Sequence, residues 1–412
     1  MFNTIIAITA LAALLSFLNA KFLKLPETIG VMILSIILSF SIGSVIYLFD
    51  KEYFMSIYPL VKQIDFKTIL FDFLLGILLF AGAIHINLKG LQKEKGSVFI
   101  YVTFGVIFST FLIGTVFYYT VSLIGLDISY LYCLVFGSLI SPTDPVAVLA
   151  LLKKAGAPKH IEIKIIGESL FNDGVGIVVF LSLLSLATMA HEFDATHISL
   201  EFGKEAGGGI LMGLILGYLG KIFIKSVAKE PVSAVHISLA IVLGGSSLSS
   251  AFHVSGAIAM VVAGLIIGDS LQSKNISKEL KNQMNIFWKM LDEIFNSVLF
   301  VLIGIIIITV DFNLQYLLLG AICIFIVVIS RYVTLFSSNL LLKKSNRANS
   351  KERKILTWAG LRGGISIALA LSLPEGEVKY IILYVTYVVV VFSIIVQGLT
   401  IEKLISNSFK KS

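Results

Sequence analysis

Along this chain, apolar residues come in long runs broken by short polar interruptions, and the runs share a length with a clear physical meaning. A hydrocarbon core of about 30 Å is crossed by about 20 helical residues at 1.5 Å each. About thirteen runs of that size are present, near residues 2–20, 28–49, 68–87, 97–121, 129–152, 163–189, 205–225, 233–250, 254–269, 284–310, 313–342, 355–373 and 377–403. The pattern predicts an all-α polytopic membrane protein made of one transmembrane domain, 1–412, with no soluble domain of useful size. The eighth and ninth runs, around "SSLSSAFHVSG", are the shortest, and "SKNISKELKNQ" reads as an interfacial helix or loop leading into the tenth. The first run, "MFNTIIAITALAALLSFLNA", has no basic segment ahead of it; Lys21 and Lys24 follow it, so it reads as a retained span and not as a secretory leader.

Charge gives an independent reading of the same layout. Basic residues gather in alternate loops: Lys21 and Lys24; Lys89, Lys93 and Lys95; Lys153, Lys154, Lys159 and Lys164; Lys221, Lys225 and Lys229; Lys274, Lys278 and Lys281; then a cluster from Lys343 to Lys354. The intervening loops hold little beyond Lys51, Lys62, Lys67, Lys204 and Lys379. Cytoplasmic loops are the basic ones, which puts the N-terminus outside and the C-terminus in the cytoplasm of a multi-pass cell-membrane protein. That arrangement needs an odd number of spans, and thirteen meets it. The net charge of +7 therefore belongs to loops beside the bilayer and gives no reason to expect a nucleic-acid partner. With 57% hydrophobic and 14% charged residues, a soluble domain is excluded.

Little in the chain suggests a cofactor. Cys133 and Cys323 lie in apolar runs and read as buried or lipid-facing hydrophobes. The six histidines, at 85, 160, 191, 197, 236 and 253, include no i, i+4 pair, so no histidine-held metal is expected.

The informative residues are charges where lipid should be. A charge at mid-bilayer costs on the order of 3 kcal/mol, so each needs a partner or a task. In "SPTDPVAV", Asp144 stands between Pro142 and Pro145; each proline removes a backbone donor, so the fifth run should break there. A simple proline kink with Asp144 as a helix cap is the plainer alternative. In "GESLFNDGVGIVVF", Glu168 and Asn172 are four apart, as are Ser169 and Asp173, which gathers four polar side chains on one side of the sixth run. Helix-to-helix glue would more economically use Ser, Thr and Asn. Arg331 lies in the eleventh run, and Arg362 in the twelfth is followed by Gly363 and Gly364, which favour a second break. With runs 1–6 and 8–13 as two repeats joined by the seventh, the two breaks occupy matching positions. That is the sequence pointer to an inverted-repeat transporter.

At these residues the chain resembles the monovalent cation:proton antiporter-1 family, the sodium/proton exchangers of bacteria, archaea and animals. The likeness also takes in "LPETIGVMILSI", "LLFAGAIHINL" and "GLRGGISIALALSLP", and so nearly the whole chain. It implies two inverted six-helix repeats with crossed interrupted helices, and a homodimer whose protomers move a core (about 97–189 and 313–403) against dimerisation helices (about 1–88 and 205–310). It further implies that Asp173 carries ion and proton, that Asp144, Ser169 and the Thr143 carbonyl complete the Na⁺ shell, that Glu168 pairs with Arg331 as a structural bridge, and that Arg362 offsets the helix ends at the second break. Asn172 stands where electrogenic relatives have a second aspartate, which implies electroneutral exchange and a part in pH homeostasis. One departure is Ala81, where some members have a glutamate.

The residues themselves suit that chemistry. Carboxylate and carbonyl oxygens favour a hard cation, and a buried carboxylate neutralised by either H⁺ or Na⁺ makes the two compete for one site. Li⁺ is expected wherever Na⁺ is accepted, and K⁺ is the alternative cargo. No cofactor beyond the transported ions is expected, and the chain reads as a transporter, not an enzyme. Two aspartates on neighbouring spans also suit an intramembrane aspartyl protease, but its GxGD and Tyr-Asp signatures are missing around Asp144 and Asp173. A cation channel would show a continuous polar lining, whereas these polar groups cluster at one depth.

Overall fold

A computed structural model of the chain describes residues 2–49, 74–145, 148–149, 151–152, 155–188, 195–273, 275–306 and 313–409. The start of the third run, Lys51, Lys62, Lys67, Lys153, Lys154, Lys274 and His191 lie outside the described residues. Those described form helices and connecting turns, with no strand among them.

The first half contains α1 (Phe2–Leu18), α2 (Glu27–Phe49), α3 (Leu75–Ile84), α4 (Leu88–Leu123), α5 (Tyr130–Ile140) and α6 (Lys159–Thr188). After α7 (Ala195–Ser226) come α8 (Pro231–Ala251), α9 (Gly256–Ser270), α10 (Lys278–Ile306), α11 (Leu314–Leu341), α12 (Ser350–Trp358), α13 (Gly364–Leu371), α14 (Glu377–Phe392) and α15 (Gly398–Phe409). Seven of the described helical stretches are long and apolar enough to cross a bilayer unaided. The fifth and twelfth runs are each split in two, and the all-helical polytopic fold with interrupted helices is the one that the sequence predicts.

Boundaries follow local chemistry. Asn87 caps α4 by accepting from the Gly90 amide at 3.1 Å, Ser255 caps α9, and Asn313 caps α11. At α12, Asn349 and Glu352 form a reciprocal capping box, the Glu352 amide donating to Asn349 Oδ1 at 2.9 Å. Several ends differ from the apolar runs because charged first turns carry no hydropathy signal. Lys89 and Lys93 lie on the opening turns of α4 and not in a loop, and most of "SKNISKELKNQ" is the start of α10, continuous with the tenth span. The last run is interrupted by a π-helical turn, Ser393–Gln397, which hydropathy could not reveal.

Apolar packing forms two clusters. The larger joins α4, α5 and α6 to α11–α15 and takes in α1 and α2; the smaller unites α3 with α7–α10 around Phe80 and Trp288. Trp288 is fully buried, its ring 4.6 Å from that of Phe80, and its Nε1 donates to Ser238 Oγ at 3.1 Å. In lipid, helices associate through close contact and not through hydrophobic exclusion, so small residues matter at their seams. At the α7–α9 seam, a Cβ on Gly213 would lie 2.6 Å from the Ala259 carbonyl oxygen, and one on Gly217 would lie 3.1 Å from Ala263 Cα. The opposite face of α7, including Leu211, Ile215, Tyr218 and Ile222, is exposed and suits hydrocarbon.

Candidate functional site

Two broken helices meet in the middle of the larger cluster. α5 stops at Ile140, and Ser141 to Pro145 run without helical structure because Pro142 and Pro145 supply no amide donor. The second break lies between α12 and α13, where Ala359 to Gly363 leave the helix. A main-chain bond joins the two where they cross: the Asp144 amide donates to the Leu361 carbonyl at 2.8 Å. Gly363 faces Asp144 so closely that a Cβ there would sit 2.6 Å from Asp144 Cβ and 2.8 Å from its Cγ.

Arg362 fastens this crossing. It is 1% exposed, and its Nη1 donates to the Pro142 carbonyl at 2.9 Å and also to the Ser141 carbonyl, both just beyond the C-terminal end of α5. A helix end there presents unpaired carbonyls and partial negative charge, which a guanidinium satisfies. The Arg362 amide is held in turn by Ser393 Oγ at 2.9 Å, and Ser393 donates to Gln397 Oε1 at 2.7 Å. The π turn thus supplies an acceptor for the second break.

The polar ladder of α6 lies against the first break. Asn172 grips Thr143 from two sides: its Nδ2 donates to Thr143 Oγ1 at 2.9 Å, and its Oδ1 accepts the Thr143 amide at 3.4 Å. Thr143 Oγ1 is 3.0 Å from Ser169 Oγ. Asp173 is 8% exposed, within mutual repulsion distance of Asp144, and has no side-chain hydrogen bond or ion pair among the described residues. Thr143, Asp144, Ser169, Asn172 and Asp173 therefore meet at one place.

Glu168, one turn nearer the start of α6, faces away towards α11. Arg331 binds it with both arms, Nη2 donating to Oε2 at 2.8 Å and Nη1 to Oε1, with the pair nearly excluded from solvent. Gly360 makes room: a Cβ there would come 2.8 Å from Arg331 Nε. The bridge thus packs over the second break as well as on α6. Ala81 is fully buried in α3 beside Gly82, whose Cβ position is 3.5 Å from Leu170 Cδ1 on α6.

Two participants escaped the sequence reading. Ser393 looked like any serine in an apolar run. Asp292 of α10 is a further intramembrane carboxylate, near enough to Asp144 for repulsion, and it accepts from Asn296 Nδ2 at 3.0 Å. The signal was available, since Asp292 and Asn296 are four apart within the tenth run. A cavity of about 590 Å³ opens between α6, α8 and α9, lined by Ile177, Ser246, Ser250, His253 and Ser255 among others, and it begins one helical turn beyond Asp173.

Comparison with known proteins agrees with this architecture. The family model for the transmembrane sodium/hydrogen exchanger matches residues 6–406. The chain is 40% identical to the Na⁺/H⁺ antiporter NhaP of Pseudomonas aeruginosa, across 99% of this chain and 97% of that one. It is 32% identical to the Na⁺/H⁺ antiporter NhaH of Halobacillus dabanensis, across 94% and 93%. Among solved structures, the sodium proton antiporter MjNhaP1 of Methanocaldococcus jannaschii superposes with a TM-score of 0.74 at 20% identity, covering 100% of this chain and 99% of that one, which shows a shared fold. With a family match over residues 6–406 and a 40% identical relative covering 99% of its length, the protein belongs to the sodium/hydrogen exchanger family.

Proposed function

We propose that the protein is a secondary transporter that exchanges one Na⁺, or Li⁺, for one H⁺, the two competing for Asp173. The observation that carries this reading is a buried aspartate without a hydrogen-bond or ion-pair partner among the described residues, set against a stretch of unwound backbone between two prolines. Asp173, Asp144, Ser169 Oγ and the Thr143 carbonyl supply hard oxygen donors suited to Na⁺. Asn172 keeps the unwound segment in register through Thr143 and adds no second titrating charge. Arg362 holds the crossing, and Glu168 with Arg331 braces it.

Coupling follows from charge. An occupied Asp173 is neutral with either ion bound, whereas an empty carboxylate crossing the bilayer is opposed by several kcal/mol. Each transit with Na⁺ must then be matched by one with H⁺, and no second site is needed. In this scheme the core, about residues 97–189 and 313–403, moves against scaffold helices at about 1–88 and 205–310, in a homodimer. The N-terminus lies outside and the C-terminus in the cytoplasm, so the 590 Å³ cavity opens outward. No cofactor takes part.

The test is proton movement in proteoliposomes holding a trapped pH dye, with Na⁺, Li⁺ and K⁺ compared and the voltage clamped by valinomycin. Exchange driven by Na⁺ and Li⁺ and indifferent to voltage is expected. Flux that follows voltage without proton movement would make the protein a channel, and a K⁺ preference would change the cargo. Two variants sharpen the result. In Asn172→Asp, a second charge enters the site and the donor to Thr143 Oγ1 is lost, so exchange should become voltage-sensitive. In Gly363→Ala, the new Cβ overlaps Asp144; overpacking of this kind costs about 1–3 kcal/mol, and exchange should fall roughly tenfold or more while membrane insertion is retained.

A further inference from the structure

A groove of about 500 Å³ lies at the face shared by α11, α12 and α15, away from the ion site. Lys354 of α12 and Lys403 of α15 stand on its walls with Asn407, one turn beyond Lys403. Neither lysine has an ion-pair partner among the described residues, and no carboxylate is among the groove's lining side chains. Trp358 closes the floor by donating from Nε1 to Thr400 Oγ1 at 2.8 Å, which ties α12 to α15.

The groove runs on into an apolar face. Tyr332 of α11 lines one side, and from it the exposed residues Ile329 and Phe325 continue along α11 as an apolar stripe, spaced three and four apart. In the other direction Phe336 prolongs it, with the Arg353 guanidinium stacked 5.8 Å from the Tyr332 ring and 5.2 Å from the Phe336 ring. Arg353 Nε is buried without a hydrogen-bond partner. Two unpaired ammonium groups and an unsatisfied guanidinium nitrogen thus stand at the head of an aromatic track that lies in the bilayer.

We propose that this groove binds an anionic phospholipid of the cytoplasmic leaflet, its phosphate held by Lys354 and Lys403 and an acyl chain lying along Tyr332, Ile329 and Phe325. The choice of leaflet rests on the orientation given above; the binding itself does not. A free phosphate would use the lysines and leave the stripe without purpose, which is why the occupant is a lipid. Anionic headgroups gain about fivefold in affinity from each basic residue near the surface. The lipid would also clamp the second break from behind, because α12 leads into Gly360 and Arg362, and α15 follows the π turn that holds the Arg362 amide.

The experiment uses the full-length protein in a neutral detergent, titrated with phosphatidylglycerol or phosphatidylcholine carrying brominated acyl chains. Tryptophan quenching reports on Trp358, because the chain has only two tryptophans and Trp288 is fully buried. Phosphatidylglycerol should quench at lower concentration than phosphatidylcholine and should raise the unfolding temperature. The preference should vanish in Lys354→Gln/Lys403→Gln, by about twenty-five-fold if the two lysines act independently, and return in Lys354→Arg/Lys403→Arg. Equal quenching by both lipids, or a preference that survives in the Gln pair, would overturn the proposal. Displacement by millimolar inorganic phosphate beyond what matched chloride achieves would show a free-phosphate site and overturn it too. The readout involves no transport, so its failure leaves the exchange mechanism standing, and the reverse also holds.

Discussion

Asp173→Asn is expected to abolish exchange and leave the protein folded. The asparagine neither binds a proton over the working pH range nor neutralises Na⁺, so both arms of the competition disappear together. Exchange should fall at least about a hundredfold, the equivalent of ~2.7 kcal/mol. Stability should move the other way or not at all. The carboxylate sits 8% exposed beside Asp144 with no cation against it among the described residues, and exchanging it for a neutral amide relieves repulsion. Thermal unfolding of wild type should rise with Na⁺ concentration, because a ligand that binds only the folded state stabilises it by mass action, and the variant should lose that response. Exchange that persists in Asp173→Asn would remove this residue from the mechanism. Loss of exchange together with a large drop in unfolding temperature would point to a structural role in its place.

The second large effect concerns folding. Arg331→Met and Glu168→Leu should each destabilise the protein by about 3–5 kcal/mol, since each leaves an uncompensated charge inside the core. Their pairing is two-armed and nearly free of solvent, so the surviving partner has no water to turn to. Combining the two in Glu168→Leu/Arg331→Met should recover most of the loss, because replacing a buried pair by apolar groups of similar volume is often neutral. Unfolding temperature and detergent-resistant yield measure this directly. If the double variant is as unstable as the sum of the singles, the bridge does more than balance its own charges, and the contact of Arg331 with Gly360 at the second break becomes the reason.

Most of this fold could be read from where charges and prolines interrupt apolar runs. Pro142, Pro145 and the Gly363–Gly364 pair marked both breaks, because backbone rules act locally and leave their mark in the residues themselves. The i, i+4 ladder from Glu168 to Asp173 marked which face of α6 turns inward. What the sequence could not supply were relations set by packing between distant segments. Nothing near Ser393 announces that a π turn aims its hydroxyl at the Arg362 amide, and nothing near Asn172 says that Thr143 will be its partner. Asp292 carried a visible mark, its i, i+4 spacing to Asn296, but its nearness to Asp144 comes only from packing. Helix ends were blurred wherever lysines continue a helix past its apolar stretch, as at α4 and α10.

The glycine seam between α7 and α9 bears on how the protein meets membranes of different thickness. Gly213 and Gly217 let the α7 backbone close on the backbone of α9 and on Val262 and Ile266, so these helices cannot splay without opening a void. Hydrophobic mismatch is ordinarily absorbed by tilt, at a fraction of a kcal/mol per Å. Here the pair must tilt together as one plate. The strain of a bilayer too thick or too thin then passes to the boundary where α6 meets α9, beside Gly174 and Ile258 and one residue from Asp173. Lipid thickness would act on the ion-carrying helix through a stiff neighbour, with no contact between lipid and site.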